Sequence, residues 1–363
     1  MDDRIYAHAE TLVDWSARIE DGDDVVMAVA EGAHDLATAT AEVLGARGAN
    51  LVTLYRSGEV ERAFLTGHDG EFDPDPEHEL ALYENADSVL LIGGDWNTAA
   101  MADVPGERQS AYSRSRRQIR EARMDTDWVS TVHPTRALAQ QAGMSLPAYE
   151  DFVYDAVLRD WVVLAEEMGQ LKDILDDGSE VRIVTGGTDL TMSIEGRTAV
   201  NSAASVEYDS HNLPSGEVFT APEATEGTAV FDVPMTIRGQ RVRAVRLEFE
   251  GGEVIDYSAA MNEDVIREVL DTDDGAKRLG ELGIGMNRGI DRPTDSILFD
   301  EKMAETVHLA LGRAYDSCLP EGESGNDSAV HVDLITNMDE GSRLEVDGEV
   351  IQRDGKFRWE DGF

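Results

Sequence analysis

The sequence predicts an α/β protein of two domains, and three observations support that prediction. The chain has 363 residues, which is enough for two domains that each bury a core of their own. Residues 24–30 (DVVMAVA) and 50–55 (NLVTLY) are short apolar runs typical of buried strands, and the alanine-rich stretch 35–47 between them has a helical pattern. A strand, a helix and a second strand in this order favour parallel pairing of the two strands.

Two further strand candidates continue the same alternation. They cover residues 88–92 and 128–132, and the charged helical stretch 108–122 lies between them. Such alternation predicts an open, mostly parallel sheet with flanking helices. A long helical stretch at 147–175 then leads into the turn-rich segment DDGSE. We therefore predict an N-terminal α/β domain at 1–178 and a C-terminal α/β domain at 179–363.

The predicted C-terminal domain begins with a series of strand signals. Residues 181–185, 189–194 and 228–233 have strand patterns, and 242–250 and 253–257 predict a hairpin that turns at Gly251-Gly252. Residues 276–282 have a helical pattern that contains Glu281. A glutamate in such a helix is ordinarily solvated.

The acidity of the chain bears on its environment and its partners. Seventy-four acidic and 31 basic residues give a formal charge of −43, and the only lysines are Lys172, Lys277, Lys302 and Lys356. A surface rich in acid and poor in lysine is typical of adaptation to molar salt, where the Debye length is about 3 Å. We therefore expect a halophilic source. Phosphate recognition needs clustered basic residues, so nucleic acid is not expected as a partner.

One basic cluster departs from the general acidity. It lies on the helical stretch at 108–122 and just beyond it, among acidic neighbours, and consists of Arg114, Arg116, Arg117, Arg120 and Arg123. The pattern favours a solvated helix face with ion pairs.

Cysteine usage and the N-terminus bear on the compartment. The single cysteine, Cys318, cannot form an intrachain disulfide and fits a reducing cytoplasm; we favour a packing or surface role for it over a nucleophilic one. The first residues, MDDRIYAHAETLVDWS, lack the positive start and apolar core of a signal peptide, and no apolar run approaches about 18 residues. These features predict a soluble, cytoplasmic protein without a membrane partner.

The segment NDSAVHVDLITNM, residues 326–338, is the most informative local motif. It places His331 and Asp333 two residues apart on a predicted strand, so both side chains lie on one face and Val332 and Leu334 on the other. An imidazole beside a carboxylate can bind a divalent metal, and the alternative is a core histidine held by its neighbour. No HExxH and no G-x-S-x-G segment occurs in the sequence, which argues against a zincin or an α/β-hydrolase.

Five stretches in order extend this motif: LPSGEVFTAP (213–222), GTAVFDVP (227–234), DDGAKRLGELGIGMN (273–287), ILFDEKMAETVHLALGRAY (297–315) and NDSAVHVDLI (326–335). Together they resemble the M29 family of metallo-aminopeptidases, and the likeness continues upstream to about Trp128. The resemblance implies a C-terminal metallopeptidase domain, a homodimer and an active-site tyrosine at Tyr315. It also implies the metal ligands Glu217, Glu281, His308, His331 and Asp333.

The charges of these residues allow a check on the number of metal ions. Three carboxylates and two neutral imidazoles carry about −3, so two divalent ions leave about +1, which one bridging hydroxide neutralises. One ion would leave the site negative. The donor types suit zinc first, with cobalt or manganese as alternatives. Glu217 taken alone could also be a surface charge beside a turn.

The sequence therefore predicts a cytoplasmic aminopeptidase that acts on peptides with a free N-terminus through a water activated by two metal ions. Two alternatives stay open at this point. The first is a binding homologue of the same fold without catalysis, and the second is a metal-dependent amidase or esterase that acts on small substrates.

We predict that stability and activity fall together when salt is removed. Dilution from about 1 M to about 10 mM lengthens the Debye distance from about 3 Å to about 30 Å, so the surface carboxylates begin to repel one another. Melting temperature and peptidase activity are measured across this range, and divalent metal should partly protect. As a control, a chelator in high salt should abolish activity and leave the circular dichroism near native. A constant melting temperature would rule out the halophilic interpretation.

Overall fold

The helices of the computed structural model, which describes residues 2–363, occur mainly in the first half of the chain. A π-helical turn, Thr11–Ser16, continues the first helix, and short 3-10 helices lie at Val206–Tyr208, Gly275–Lys277 and Asp316–Cys318. The α-helices are α1 (Asp3–Glu10), α2 (His34–Arg47), α3 (Gly58–Gly67), α4 (Glu77–Glu84), α5 (Gly106–Arg114), α6 (Arg117–Met124), α7 (Arg136–Gln141), α8 (Leu146–Val157), α9 (Trp161–Asp177), α10 (Glu263–Leu270) and α11 (Ile297–Asp300).

The strands form one parallel and two antiparallel sheets. They are β1 (Asp24–Ala30), β2 (Asn50–Arg56), β3 (Ser88–Gly93), β4 (Asp127–Val132), β5 (Glu180–Thr185), β6 (Thr188–Ser193), β7 (Val200–Ser202), β8 (Asn212–Leu213), β9 (Glu217–Thr220), β10 (Glu223–Phe231), β11 (Met235–Ile237), β12 (Gln240–Glu250), β13 (Glu253–Met261), β14 (Leu279–Gly285), β15 (Thr306–Gly312), β16 (His331–Asn337), β17 (Arg343–Val346), β18 (Glu349–Arg353) and β19 (Lys356–Phe357).

The parallel sheet confirms the α/β prediction for the N-terminal part of the chain. Its order is β2-β1-β3-β4-β8, and every neighbouring pair is parallel. The register of the first pair aligns Asp24 with Asn50, as the predicted strand-helix-strand unit requires. On one side of the sheet, Val26 and Val89 pack with Tyr83 of α4 and Ile119 of α6. Their burial fixes these two helices against the sheet.

Both long helical stretches of the sequence are divided in the structure. The stretch at 108–122 breaks between α5 and α6 at Ser115 and Arg116, where the Ser115 hydroxyl donates to the carbonyl of Tyr112. The stretch at 147–175 breaks between α8 and α9, where the Asp160 side chain accepts from the Val163 backbone N–H. In each case a short polar side chain bonds to the backbone and so ends or begins a helix.

The chain divides into two compact units whose bounds differ from the predicted domain boundary at 178/179. One unit comprises residues 1–159 and 204–214, and the other comprises 160–203 and 215–363. Helix α9 therefore belongs to the second unit, because its buried residues pack there, and β8 returns to the parallel sheet of the first. A local pattern marks the end of a helix, whereas the unit to which the helix belongs depends on tertiary contacts.

The larger antiparallel sheet of the second unit contains the predicted hairpins. Its order is β11-β12-β10-β6-β5-β17-β18-β19, with β13 also paired to β12. Strands β5 and β6 occupy the predicted positions, whereas β10 ends at Phe231, before the predicted end at 233. The β12–β13 turn lies at Gly251 and Gly252, whose φ values of 61° and 79° favour glycine.

The smaller antiparallel sheet, in the order β16-β15-β14-β9-β7, corrects one prediction. Residues 276–282 are not helical: a 3-10 turn at Gly275–Lys277 is followed directly by β14, all of whose residues are buried. Gly280, Gly283 and Gly285 disfavour a helix, and β14 pairs on both sides, with β15 and with β9. One face of this sheet packs apolar residues such as Leu282, Ile284 and Leu309 into the core.

The helices described for residues 2–363 include none that is both long and apolar enough to cross a membrane.

Candidate metal centre

The smaller antiparallel sheet brings the predicted metal ligands together. Glu217 begins β9, Glu281 lies on β14, His308 on β15, and His331 and Asp333 on β16. These four strands are adjacent in the sheet. His331 and Asp333 lie on a strand as predicted, although on its half-buried part.

The register of the strands places the five side chains on one face. Residues directly opposite each other in an antiparallel pair share a face, and residues two apart on a strand do so as well. The opposed pairs are Glu217 with Gly285, Gly283 with His308, Glu281 with Ala310, Ala310 with Asp333, and Gly312 with His331. Each ligand candidate therefore stands, on at least one side, opposite a residue with a small side chain or none, and His308 stands opposite Ile335 on its other side.

Gly283 makes the approach of His308 possible. A Cβ atom at Gly283 would lie 2.0 Å from Nε2 of His308. Because this space is free, the fully buried His308 ring extends over β14 toward both glutamates. The alternation of Glu281, Gly283 and Gly285 along β14 is thus the sequence feature that opens this face of the sheet.

The first group of possible ligands consists of Glu217, Glu281 and His308, all buried. Nε2 of His308 lies 3.0 Å from Oε1 of Glu281 and 3.5 Å from Oε2 of Glu217. Both glutamates are only 5 % exposed. The interpretations of Glu217 as a surface charge and of Glu281 as a solvated helical residue are therefore wrong.

The second group consists of Glu281, His331 and Asp333. Nε2 of His331 lies 3.3 Å from Oε2 of Glu281 and 3.6 Å from Oδ1 of Asp333. Glu281 belongs to both groups and directs one carboxylate oxygen toward each histidine. The two groups are therefore joined through a single carboxylate.

A backbone contact orients His331. Its Nδ1 lies 2.9 Å from the carbonyl oxygen of Arg313. A carbonyl only accepts, so Nδ1 carries a proton and donates it. In the neutral ring Nε2 is then the nitrogen with a free lone pair, and it faces the carboxylates.

The proximity of these groups changes their protonation. Burial by itself raises the pKa of Glu281, but hydrogen bonds with His308 and His331 outweigh it and lower that pKa. Burial also opposes protonation of both histidines, yet the carboxylates raise the pKa of His308 and raise that of His331 to about 11. The face thus carries a negative potential that holds positive charge, as protons or as metal ions.

The residues present fit divalent metal ions. Oε2 of Glu217 is buried and has no hydrogen-bond partner among residues 2–363, which is costly for a carboxylate oxygen unless a cation compensates. Tetrahedral ligands at about 2.0–2.1 Å from an ion lie about 3.3 Å apart. The separations of 3.0, 3.5, 3.3 and 3.6 Å are close to that spacing.

Tyr315 stands at the exposed side of these groups. Its ring centre lies 5.0 Å from that of His331 and 5.6 Å from that of Phe219, and the residue is 46 % exposed. Partial burial and the charges of Glu281 and Asp333 raise the pKa of its phenol. The hydroxyl therefore stays protonated at neutral pH and can donate a hydrogen bond.

Lys302 belongs to this environment and was not recognised from the sequence. The residue is fully buried, with Nζ 3.4 Å from Oε1 of Glu217 and in contact with Glu301. Lys302 thus holds Glu217 in its orientation, while Glu301 offsets the charge of Lys302. Its position in the matching stretch 297–315, in a chain with only four lysines, was the available signal.

Cys318 is excluded as a nucleophile by its surroundings. It is 1 % exposed, and burial raises the pKa of its thiol to about 12. Little thiolate therefore exists at neutral pH. Of the packing or surface role favoured from the sequence, this burial supports packing.

The chain is similar to known proteins of the family that its motifs resemble. The family model described as "Thermophilic metalloprotease (M29)" matches residues 1–357. The chain belongs to the M29 family. Aminopeptidase T of Thermus aquaticus is 30 % identical over 391 residues, with 94 % of this chain and 93 % of the relative covered. Aminopeptidase 2 of Geobacillus stearothermophilus is 34 % identical over 174 residues, 44 % of this chain and 40 % of the relative.

A solved structure agrees with the fold. Wild-type AmpT from Thermus thermophilus superposes with a TM-score of 0.85 at 25 % identity, and 98 % of this chain and 99 % of that one are covered. The mixed α/β architecture, with its parallel and antiparallel sheets, is therefore that of an M29 peptidase.

We predict that Gly283→Ala weakens metal binding. The added Cβ would lie 2.0 Å from Nε2 of His308 and must displace that ring from Glu281 and Glu217. Metal content should fall at least about tenfold and activity at least about 100-fold, with circular dichroism near native. Gly45→Ala, where a Cβ meets nothing within 4 Å, is the matched control. Full metal content in Gly283→Ala would contradict the proposed role of His308.

Proposed function

We propose that this M29 peptidase releases the N-terminal residue of peptides by using two divalent metal ions held on the smaller antiparallel sheet. Metal-dependent aminopeptidase activity itself follows from membership of the family and from its relatives. The proposal that two metal ions bind rests on the position of Glu281 between two groups of possible ligands. One carboxylate that serves both groups is the arrangement that a pair of ions needs.

The proposed ligands divide between the two ions. Glu217 and His308 would hold one ion, His331 and Asp333 the other, and Glu281 would bridge them. The count of charge from the sequence supports two ions, because the charge of Lys302 is offset by Glu301 and leaves about −3 at the site when both imidazoles are neutral. Imidazole and carboxylate donors suit zinc, with cobalt or manganese as alternatives.

When bound, such ions supply a nucleophilic hydroxide at neutral pH, polarise the scissile carbonyl and provide a position for the free α-amine of the substrate. The residues of the chain supply the rest. Lys302 and the Arg313 carbonyl hold Glu217 and His331 in their orientations. Tyr315, protonated and at the exposed side, would donate a hydrogen bond to the oxyanion of the tetrahedral intermediate.

The alternatives from the sequence receive less support. A binding homologue without catalysis would have no chemical need for all six residues, yet the sheet brings the five acidic and imidazole groups together beside Tyr315. A general amidase or esterase would not require the amine of its substrate. Substrates with and without that amine therefore separate the possibilities.

The remaining features of the proposal rest on composition and on the family. We propose a cytoplasmic, halophilic enzyme because of the net charge of −43 and the single cysteine. A homodimer is proposed from the family resemblance. All six proposed site residues fall within 179–363, and this placement is why we propose a C-terminal catalytic domain there.

We predict that the enzyme cleaves dipeptides and leaves the same dipeptides intact when their N-terminus is acetylated. The assay uses added zinc, cobalt or manganese in high salt, and it compares initial rates for the two series. His331→Ala and Asp333→Ala should abolish cleavage and lower metal content, because each removes one proposed ligand. Glu340→Ala, an exposed residue just beyond β16, is the control.

Each other outcome of this assay has a defined meaning. Cleavage of both series would indicate a general amidase, and cleavage of neither by the metal-loaded protein would indicate a binding homologue. Wild-type activity and metal content in both ligand variants would rule out the proposed site.

We predict that Tyr315→Phe lowers kcat by roughly 10²–10³-fold and leaves metal content unchanged. The substitution keeps the ring contacts with Phe219 and His331 but removes one oxyanion donor. Steady-state kinetics and metal analysis are the measurements, and Tyr257→Phe, on the larger antiparallel sheet, is the control. An unchanged kcat would remove Tyr315 from the mechanism.

A further inference from the structure

The first compact unit contains a large cavity at the carboxyl end of β2. Its volume is about 1150 Å³, and its walls come from the end of β2 and from helices α3, α4, α5 and α6. This volume is sufficient for a small organic molecule. The proposed metal ligands belong to the second unit, so the cavity is a separate feature of the chain.

The lining of this cavity is basic in a chain that is strongly acidic. Five arginines line it against two carboxylates, Glu61 and Glu79, an excess of three positive charges. The arginines are Arg56, Arg114, Arg116, Arg120 and Arg123. A formal charge of −43 over the whole chain makes this local excess of opposite sign conspicuous.

The arginines of the cavity are largely without carboxylate partners. Only Arg116 forms an ion pair, with its Nε 3.0 Å from Glu79, and among residues 2–363 none is found for the other four. The neighbouring Arg117, by contrast, points away from the cavity and pairs with Glu121 at 2.8 Å. The prediction of a solvated face with ion pairs therefore holds for the ion pairs of Arg116 and Arg117, whereas within the described residues Arg114 and Arg120 are exposed without a carboxylate partner and Arg123 is partly buried without one.

Arg123 is partly buried in the cavity wall without a partner for its charge among residues 2–363. Its Nε is buried and has no hydrogen-bond partner in the described part of the chain. Burial lowers the pKa of Arg123; Tyr83 opposes this shift, while Arg56 and Arg120 add to it by repulsion. A partly desolvated guanidinium beside two others is unfavourable unless an anion compensates the charge.

The rest of the lining is aromatic and apolar. Tyr83, at 8 % exposure, and Ile119 form part of the wall on the side of the sheet, and Tyr55 and Phe64 line the cavity nearer the surface. Arginine forks bind carboxylate and phosphate oxygens equally well, and aromatic rings stack on planar groups.

We propose that this cavity binds a small molecule with at least two negative charges, on carboxylate or phosphate groups, attached to an aromatic or apolar portion. A nucleic acid fits less well, because the −43 charge of the whole chain repels a long polyanion, whereas a small anion contacts only the local positive excess.

The proposal is tested by calorimetric titration of the full-length protein at the lowest salt concentration that keeps it folded. The probes are succinate, isophthalate and phenyl phosphate, which bind divalent metals only weakly and differ in charge type and in the presence of a ring. Isophthalate or phenyl phosphate should bind one per chain, and succinate more weakly than isophthalate because it lacks a ring. If isophthalate binds more tightly than phenyl phosphate, the cavity prefers carboxylate groups, and the opposite order indicates a preference for phosphate.

Arginine variants test whether the probes bind in the cavity. Arg120→Gln and Arg123→Gln should each weaken binding by about tenfold or more, since each removes a charge-assisted contact. Arg117→Gln, on the same helix but outside the cavity, should bind like the wild type. Arg120 is exposed, and Arg123→Gln removes an uncompensated charge, so neither should lower the melting temperature of the protein without ligand.

Three results would overturn the proposal. The first is the absence of saturable binding by both aromatic probes. The second is equal affinity of the Arg117, Arg120 and Arg123 variants. The third is a change of oligomeric state in Arg120→Gln without binding of any probe, which would assign the arginines to a protein contact instead.

Discussion

The sharing of Glu281 between two histidines is the interaction on which the rest of the site depends. Its oxygens lie 3.0 Å from His308 and 3.3 Å from His331, and the residue is almost completely buried. A carboxylate in such a position needs a strand that pairs on both sides, and β14 does so with β15 and β9. It also needs neighbours without bulk, which Gly283 and Ala310 provide. The small residues of this face are therefore as necessary as the charged ones.

The sequence predicted those parts of the fold that are determined locally. The strand-helix-strand unit at 24–55 was recognised because apolar runs of strand length flank a helical pattern, and its strands are indeed parallel. The strand at β14 was missed, because its glycines and its glutamate match no local strand pattern. Pairing with two distant strands determines its conformation, and no window of the sequence contains that information.

The same distinction applies to the side chains. The spacing of His331 and Asp333 is a local signal, and their shared face follows from the period of a strand. Lys302 has no such signal, because its burial beside Glu217 arises only when α11 and the sheet are assembled. Ion pairs were likewise predicted for the arginines of the first unit, but among the described residues only Arg116 and Arg117 of that cluster form them. A helical pattern shows which residues are neighbours but not which of them find carboxylates.

The origin of the site in four strands has a consequence for the order of folding. Glu217 and Asp333 are far apart in the chain, and Glu281 and His308 come from two further strands between them. In the unfolded chain these groups are separated by long flexible segments, and closing such loops costs conformational entropy. Only the adjacent pair His331 and Asp333 exists before the sheet forms. If these residues hold the metal ions as proposed, complete metal binding would follow assembly of the sheet, and a newly made chain would first be folded without its ions.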